Sequence, residues 1–181
     1  MAFQIKEIMQ QARGIRNNNP GNIKLSNTAW QGKVPNAQNT DGTFEQFQDM
    51  AHGIRAVYRL LITYANKHKL RTVDEIIDRW APSGENSEAA RANYKRFVLD
   101  LAGTDIMATP SDLQKFAAGI MSFENGGNQY LNFILPFEAQ AAQISNLQDL
   151  EPYEQKKKNL PLGALLFGGW LFWRHLKRSK N

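Results

Sequence analysis

The chain has 181 residues, room for one globular body and an appendage, and its 42 % hydrophobic content is that of an ordinary soluble protein. It has no cysteine, which excludes disulfides and cysteine-ligated metals; its three histidines, His52, His68 and His175, show no ligand spacing, so neither a metal site nor a cofactor is expected. The net charge of +5 belongs to the tail, because residues 156–181 hold seven basic side chains and no acid; the remainder then sits at −2, which argues against a nucleic-acid-binding body.

Taken in order, Met1 to Gln11 lacks the basic start and apolar core of a secretory signal, so export by that route is not expected. Phe3, Ile5, Ile8, Met9 and Ala12 predict a short amphipathic helix over 2–12 that carries Glu7 as a solvated residue. Arg13-Gly14-Ile15-Arg16-Asn17-Asn18-Asn19-Pro20-Gly21-Asn22-Ile23-Lys24 follows, and no helix or strand period fits it. Its asparagines crowd amide donors and acceptors into one turn-rich loop. Such a loop is either a solvated turn or a grip for a polar, uncharged ligand such as a sugar or a peptide. Two β-favouring runs, 28–34 and 43–47, flank the polar stretch 35–42 and predict a small β-hairpin. Trp30, in the first run, either fills the core or stacks on a sugar ring.

Helical stripes come next. Ile54, Val57, Leu61 and Tyr64 predict a helix over 49–67 capped by Asp49, and Val73, Ile76, Ile77 and Trp80 predict one from Thr72 to Trp80. Ala81-Pro82-Ser83-Gly84-Glu85-Asn86 breaks the pattern; a third helix then runs from a cap at Asn86 or Ser87 to about Leu101, with Ala90, Tyr94, Phe97, Val98 and Leu101 on its face. Past a linker at 103–110, a helix opening at Ser111-Asp112 carries the stripe Leu113, Phe116, Ala117, Ile120 and Met121. Continuing that row lands on Glu124, with Asn125-Gly126-Gly127 closing the helix behind it. A carboxyl there either faces the interior, where burial raises its pKa and suits it to general acid work, or rotates into water with the last turn.

Residues 131–150 read as helical or irregular around Pro136, and 149–159 as a charged linker. Residues 160–173 run 14 positions without a charge, about 21 Å of helix at ~1.5 Å per residue against ~30 Å of hydrocarbon. Flanking Lys158 and Arg174 extend the reach by snorkelling, and Trp170 and Trp173 suit an interface. The tail 160–181 therefore reads as a membrane anchor with a basic end, either spanning the bilayer or lying in its interface.

The Asn-loop run, with Trp30-x-Gly32, Phe44-x-x-Phe47, Gly53-Ile54-Arg55-Ala56, Leu60-Leu61-x-x-Tyr64, Arg79-Trp80-Ala81-Pro82 and Glu85-Asn86, resembles a family of phage and prophage virion proteins over about residues 13–130. A second resemblance is to lysozyme-like cell-wall hydrolases of the glucosaminidase and lytic transglycosylase group, with the catalytic helix end, Phe123-Glu124-Asn125-Gly126, placed after the Asn loop instead of before it. Together these resemblances imply an α+β, mainly α, lysozyme-like domain over 1–148 that degrades peptidoglycan glycan strands. They imply a protein of the virion, held on an internal viral membrane (or on the host inner membrane before assembly) among other virion proteins, opening the cell wall during genome entry. Glu124 is then the general acid/base, with Glu85 as the alternative or a second carboxylate. Asn18, Asn19 and Asn22 would position N-acetyl groups or stabilise developing charge, and Trp30, Trp80 and Tyr94 would line the glycan groove. Two other readings stay open: an endopeptidase on the same fold, and a catalytically inactive membrane-anchored structural protein.

Overall fold

Six α-helices form among residues 12–154, the part of the chain that the computed structural model describes: α1 Arg13–Arg16, α2 Met50–His68, α3 Val73–Trp80, α4 Glu88–Ala102, α5 Pro110–Glu124 and α6 Leu131–Ser145. The helix expected over 2–12, with Glu7, and the tail 160–181 lie outside the described residues. Among the described residues no helix is long and apolar enough to cross a membrane.

Local chemistry sets the helix ends. The Asp49 carboxylate caps α2 by accepting the His52 amide at 2.9 Å. Thr72 with Glu75, and Thr109 with Asp112, form reciprocal capping boxes that start α3 and α5. The cap of α5 is thus Thr109, two residues before the expected start, with Pro110 in the first turn, where its missing N–H costs nothing. Ser87 caps α4 through the Ala90 amide. The ambiguous segment around Pro136 is helical, with the proline inside α6.

Helix α2 is the axis of the fold. Its Ile54, Val57, Tyr58, Leu61 and Ala65 are fully buried, and α5 and α6 pack against it while α4 packs on α3 and α5. At ~1.5–3 kcal/mol for each large apolar side chain removed from water, this stripe is the main source of cohesion. Leu147 and Leu150 belong to the same core, so the body continues past 148 through the turn at Leu147–Asp149.

The expected β-hairpin is a correction. The described residues form isolated antiparallel bridges, Lys24 with Phe44 and Lys33 with Phe47, and no strand. The run 43–48 is shared: its backbone pairs with 23–25 on one side (Leu25 N to Thr43 O, 2.8 Å) and with 32–34 on the other (Val34 N to Gln46 O, 2.8 Å). Each contact is too short to propagate a ladder. The lobe is held instead by side chains, notably a buried ion pair in which Lys33 Nζ stands 2.8 Å from the Glu45 carboxylate. The fold is therefore mainly helical, with an irregular lobe where the β part of an α+β domain was expected.

Candidate active site

The Asn loop leaves α1 and turns back on itself through two left-handed asparagines, Asn18 (φ 51°) and Asn22 (φ 48°). Asparagine is among the few side-chain-bearing residues that adopt this conformation at low cost. The loop's amides are spent mostly inside the protein. Asn17 donates to Asp41 at 2.9 Å and accepts from Gln46 at 3.1 Å. The Asn18 amide donates to the Phe47 carbonyl at 3.1 Å. Asn19, fully buried, donates to the Ile23 and Glu45 carbonyls and accepts the Ile23 amide. Breaking one such buried partnership costs about 1–3 kcal/mol. Asn18 and Asn19 therefore hold the loop in shape, Asn19 with its whole amide buried and bonded inside it and Asn18 half-buried, fastened through its amide nitrogen.

Asn22 does point to the candidate acid. Its amide donates to Glu124 Oε2 at 3.0 Å, and also lies 3.3 Å from the Glu124 carbonyl. The Tyr94 hydroxyl donates to Glu124 Oε1 at 2.9 Å, and the Trp80 side chain is a third hydrogen-bond partner of the carboxylate. Loop, α3, α4 and α5 thus converge on one half-buried carboxyl. Burial pushes its pKa above the ordinary glutamate range, against the opposing pull of the Asn22, Tyr94 and Trp80 hydrogen bonds. Its position as the last residue of α5 adds to the effect, since the negative end of a helix dipole disfavours an anion.

The other predicted site residues fall differently. Tyr94 lies buried beneath the acid, stacked on Phe123 at 3.8 Å between ring centroids, so it supports Glu124 and does not line a groove. Trp80 is half-buried, edge-on to Tyr64 at 6.3 Å. Trp30 is half-buried outside the core cluster, and no hydrogen bond joins it to Glu124. Glu85 is ion-paired through both oxygens with Lys24 at 2.6 Å and is half-exposed; it ties the 81–87 loop to the Asn loop and shares no hydrogen bond with Glu124.

Sequence reasoning missed two residues. Asn125, read only as a helix terminator, is buried and donates to the Pro20 and Met121 carbonyls, both at 2.7 Å. It pins the Asn loop to the end of α5, two residues before Asn22. Asp41 takes a bidentate contact from Arg13 at 2.7 Å and fixes the start of the loop from the other side. The Arg13 contact, with help from Asn17 and the Phe44 and Thr43 amides, holds the Asp41 carboxyl well below the usual range. A depressed carboxyl stabilises the fold above its unfolded pKa of about 4, and that stabilisation is lost as pH falls through the folded value. Wild type is therefore expected to lose more thermal stability than Asp41→Asn between pH 5 and pH 2, with Asp41→Asn already less stable at pH 7; pH-dependent calorimetry reads both.

No protein-family model matches the chain. Over 129 residues it is 39 % identical to Protein P5 of Pseudoalteromonas phage PM2, a match covering 68 % of this chain and 78 % of that protein.

Proposed function

The chain belongs to the family of this phage protein, and from that premise we propose that it is a virion-associated peptidoglycan-degrading enzyme of the lytic transglycosylase type, held at a membrane by residues 160–181. The observation that carries the reading is Glu124: one half-buried carboxyl with raised proton affinity, gripped by an amide, a phenol and an indole from three other elements. A raised pKa keeps a proton available for general acid work. In the proposed reaction Glu124 gives its proton to the glycosidic oxygen as the C1–O bond breaks. The resulting carboxylate, held by the Asn22 and Tyr94 donors, takes the proton of the sugar's own 6-hydroxyl as that oxygen closes on C1. One carboxyl serves both steps. A hydrolysing glycosidase needs a second carboxylate roughly 5–10 Å away, and the sequence's other candidate, Glu85, is occupied by Lys24.

The test is the chemistry of the products. Full-length protein in mild detergent is expected to release muropeptides with 1,6-anhydro ends from purified peptidoglycan. Reducing ends would mean that water is the nucleophile, and cut peptide bridges with intact glycans would mean an endopeptidase. The anchor is tested separately: deleting residues 156–181 is expected to leave an active, soluble protein that no longer floats with lipid vesicles, and continued flotation would refute the anchor.

A further inference from the structure

Around helix α2 the candidate site and the chain exit occupy opposite sides. At 100° per residue, Gly53, Val57 and Tyr64 share one side of α2, while Arg55, Arg59 and Asn66 lie roughly half a turn away. The first side carries the site: the Asn18 carbonyl and Pro20 press on Gly53, Gly21 packs on Val57, and Trp80 meets Tyr64 edge-on. The second side carries the end of the body. Arg55 donates to the Ile144 carbonyl at 3.0 Å, and Arg59 reaches the Ser145 carbonyl at 3.2 Å and the Asp149 carboxylate at 2.5 Å. Asn66 donates to the Asp149 carbonyl at 2.6 Å and accepts the Glu151 amide at 3.0 Å.

The exit is also fixed along the axis. Lys69, the C-cap of α2, pairs with Glu151 at 3.0 Å, and the Arg71 guanidinium donates to the Glu151 carbonyl at 2.8 Å. Along the axis Lys69 stands about 24 Å beyond Gly53 but only about 8 Å beyond Tyr64 at 1.5 Å per residue, so the separation from the site is one of sides and not of ends. Four side chains, Arg59, Asn66, Lys69 and Arg71, therefore hold 149–151 in one place, and the chain that follows starts from the side of α2 opposite the site.

We infer that the body is a one-way mount: it sets its exit end, Lys67 to Lys69 with 146–154, against the membrane surface that residues 160–181 engage, and presents the Glu124 site away from that surface. The inference rests on the anchor proposed above. Within that reading it assigns an interaction surface, and its occupant is a phospholipid headgroup layer. Continuity of the chain argues for this occupant, because Lys156, Lys157 and Lys158 follow the exit directly and suit anionic headgroups.

The absence of native cysteine permits single labels. Full-length Gln148→Cys and Ser83→Cys, both at exposed positions, one beside the exit and one in the loop beyond Trp80, would each carry a bimane. They would be bound to phosphatidylethanolamine–phosphatidylglycerol vesicles containing headgroup-nitroxide lipid. The label at 148 is expected to lose most of its fluorescence, and the label at 83 to keep it. Equal quenching at both, or stronger quenching at 83, in protein that floats with the vesicles would overturn the mount and leave the anchor standing. Failure to float would remove the anchor and the mount together.

Discussion

Glu124→Gln is expected to cost about 10²–10⁴-fold or more in glycan cleavage, the usual contribution of a positioned general acid, while leaving the protein as stable as wild type or more so. The two halves come from one cause. A carboxyl whose folded pKa lies above its unfolded value is worth most to the fold when protonated; it becomes a cost as pH rises through the unfolded and then the folded pKa. Glutamine keeps the shape and a hydrogen-bonding oxygen for the Asn22 amide, and it removes the charge that burial penalises. The stability difference in favour of Glu124→Gln should therefore widen from pH 4 to pH 8, read by thermal unfolding. A variant that is inactive and also unstable at pH 8 would mark Glu124 as a structural carboxylate.

Gly53→Ala is expected to be among the most damaging single changes. Alanine at an interior helix position normally gains about 1 kcal/mol over glycine. Here a Cβ would stand 1.8 Å from the Asn18 carbonyl oxygen and 3.0 Å from Pro20 Cδ. Backbone cannot step aside as a side-chain tip does, so the loop must lift from α2. A cost above ~3 kcal/mol is expected, a fall in Tm on the order of 10 °C. Activity should fall further than stability alone explains, because the displaced loop carries Asn22 away from Glu124. Gly84→Ala, with open space around its Cβ, is the matched control and should leave Tm unchanged.

The helices were legible because what makes them is local. The stripe of Ile54, Val57 and Leu61 and the caps Asp49, Thr72 and Ser87 act within one or two turns, and the structure uses them as read. The partial burial of Glu124 was legible for the same reason, since it continues a row that begins at Leu113. Long-range partnerships were not. Tyr94 sits on a core-facing stripe, and nothing in that stripe reveals a carboxylate 30 residues away. The three consecutive asparagines could be counted as donors, but their acceptors, the carbonyls of Ile23, Glu45 and Phe47 and the carboxylate of Asp41, are assembled only by folding. The hairpin failed because β propensity was real in both runs, whereas one short segment, 43–48, had to serve two neighbours and built a ladder with neither.

Asn125 shows how the site depends on these partnerships. Its amide satisfies two carbonyls at once, one on the Asn loop and one on α5, so the geometry between Asn22 and Glu124 is set by a residue that touches neither carboxylate oxygen. The Lys24–Glu85 pair adds a weaker, solvent-exposed tie between the same loop and the turn after α3. Exposed pairs of this kind contribute ~0–1 kcal/mol.

The most direct measurement is a side-by-side digestion of purified peptidoglycan by wild type, Glu124→Gln and Glu85→Gln, with mass spectrometry of the soluble fragments. Anhydro-ended muropeptides from wild type and Glu85→Gln, and none from Glu124→Gln, are the predicted result. Full activity in Glu124→Gln, or no fragments from folded wild type, would contradict the assignment of Glu124 as the acid of a glycan-cleaving enzyme.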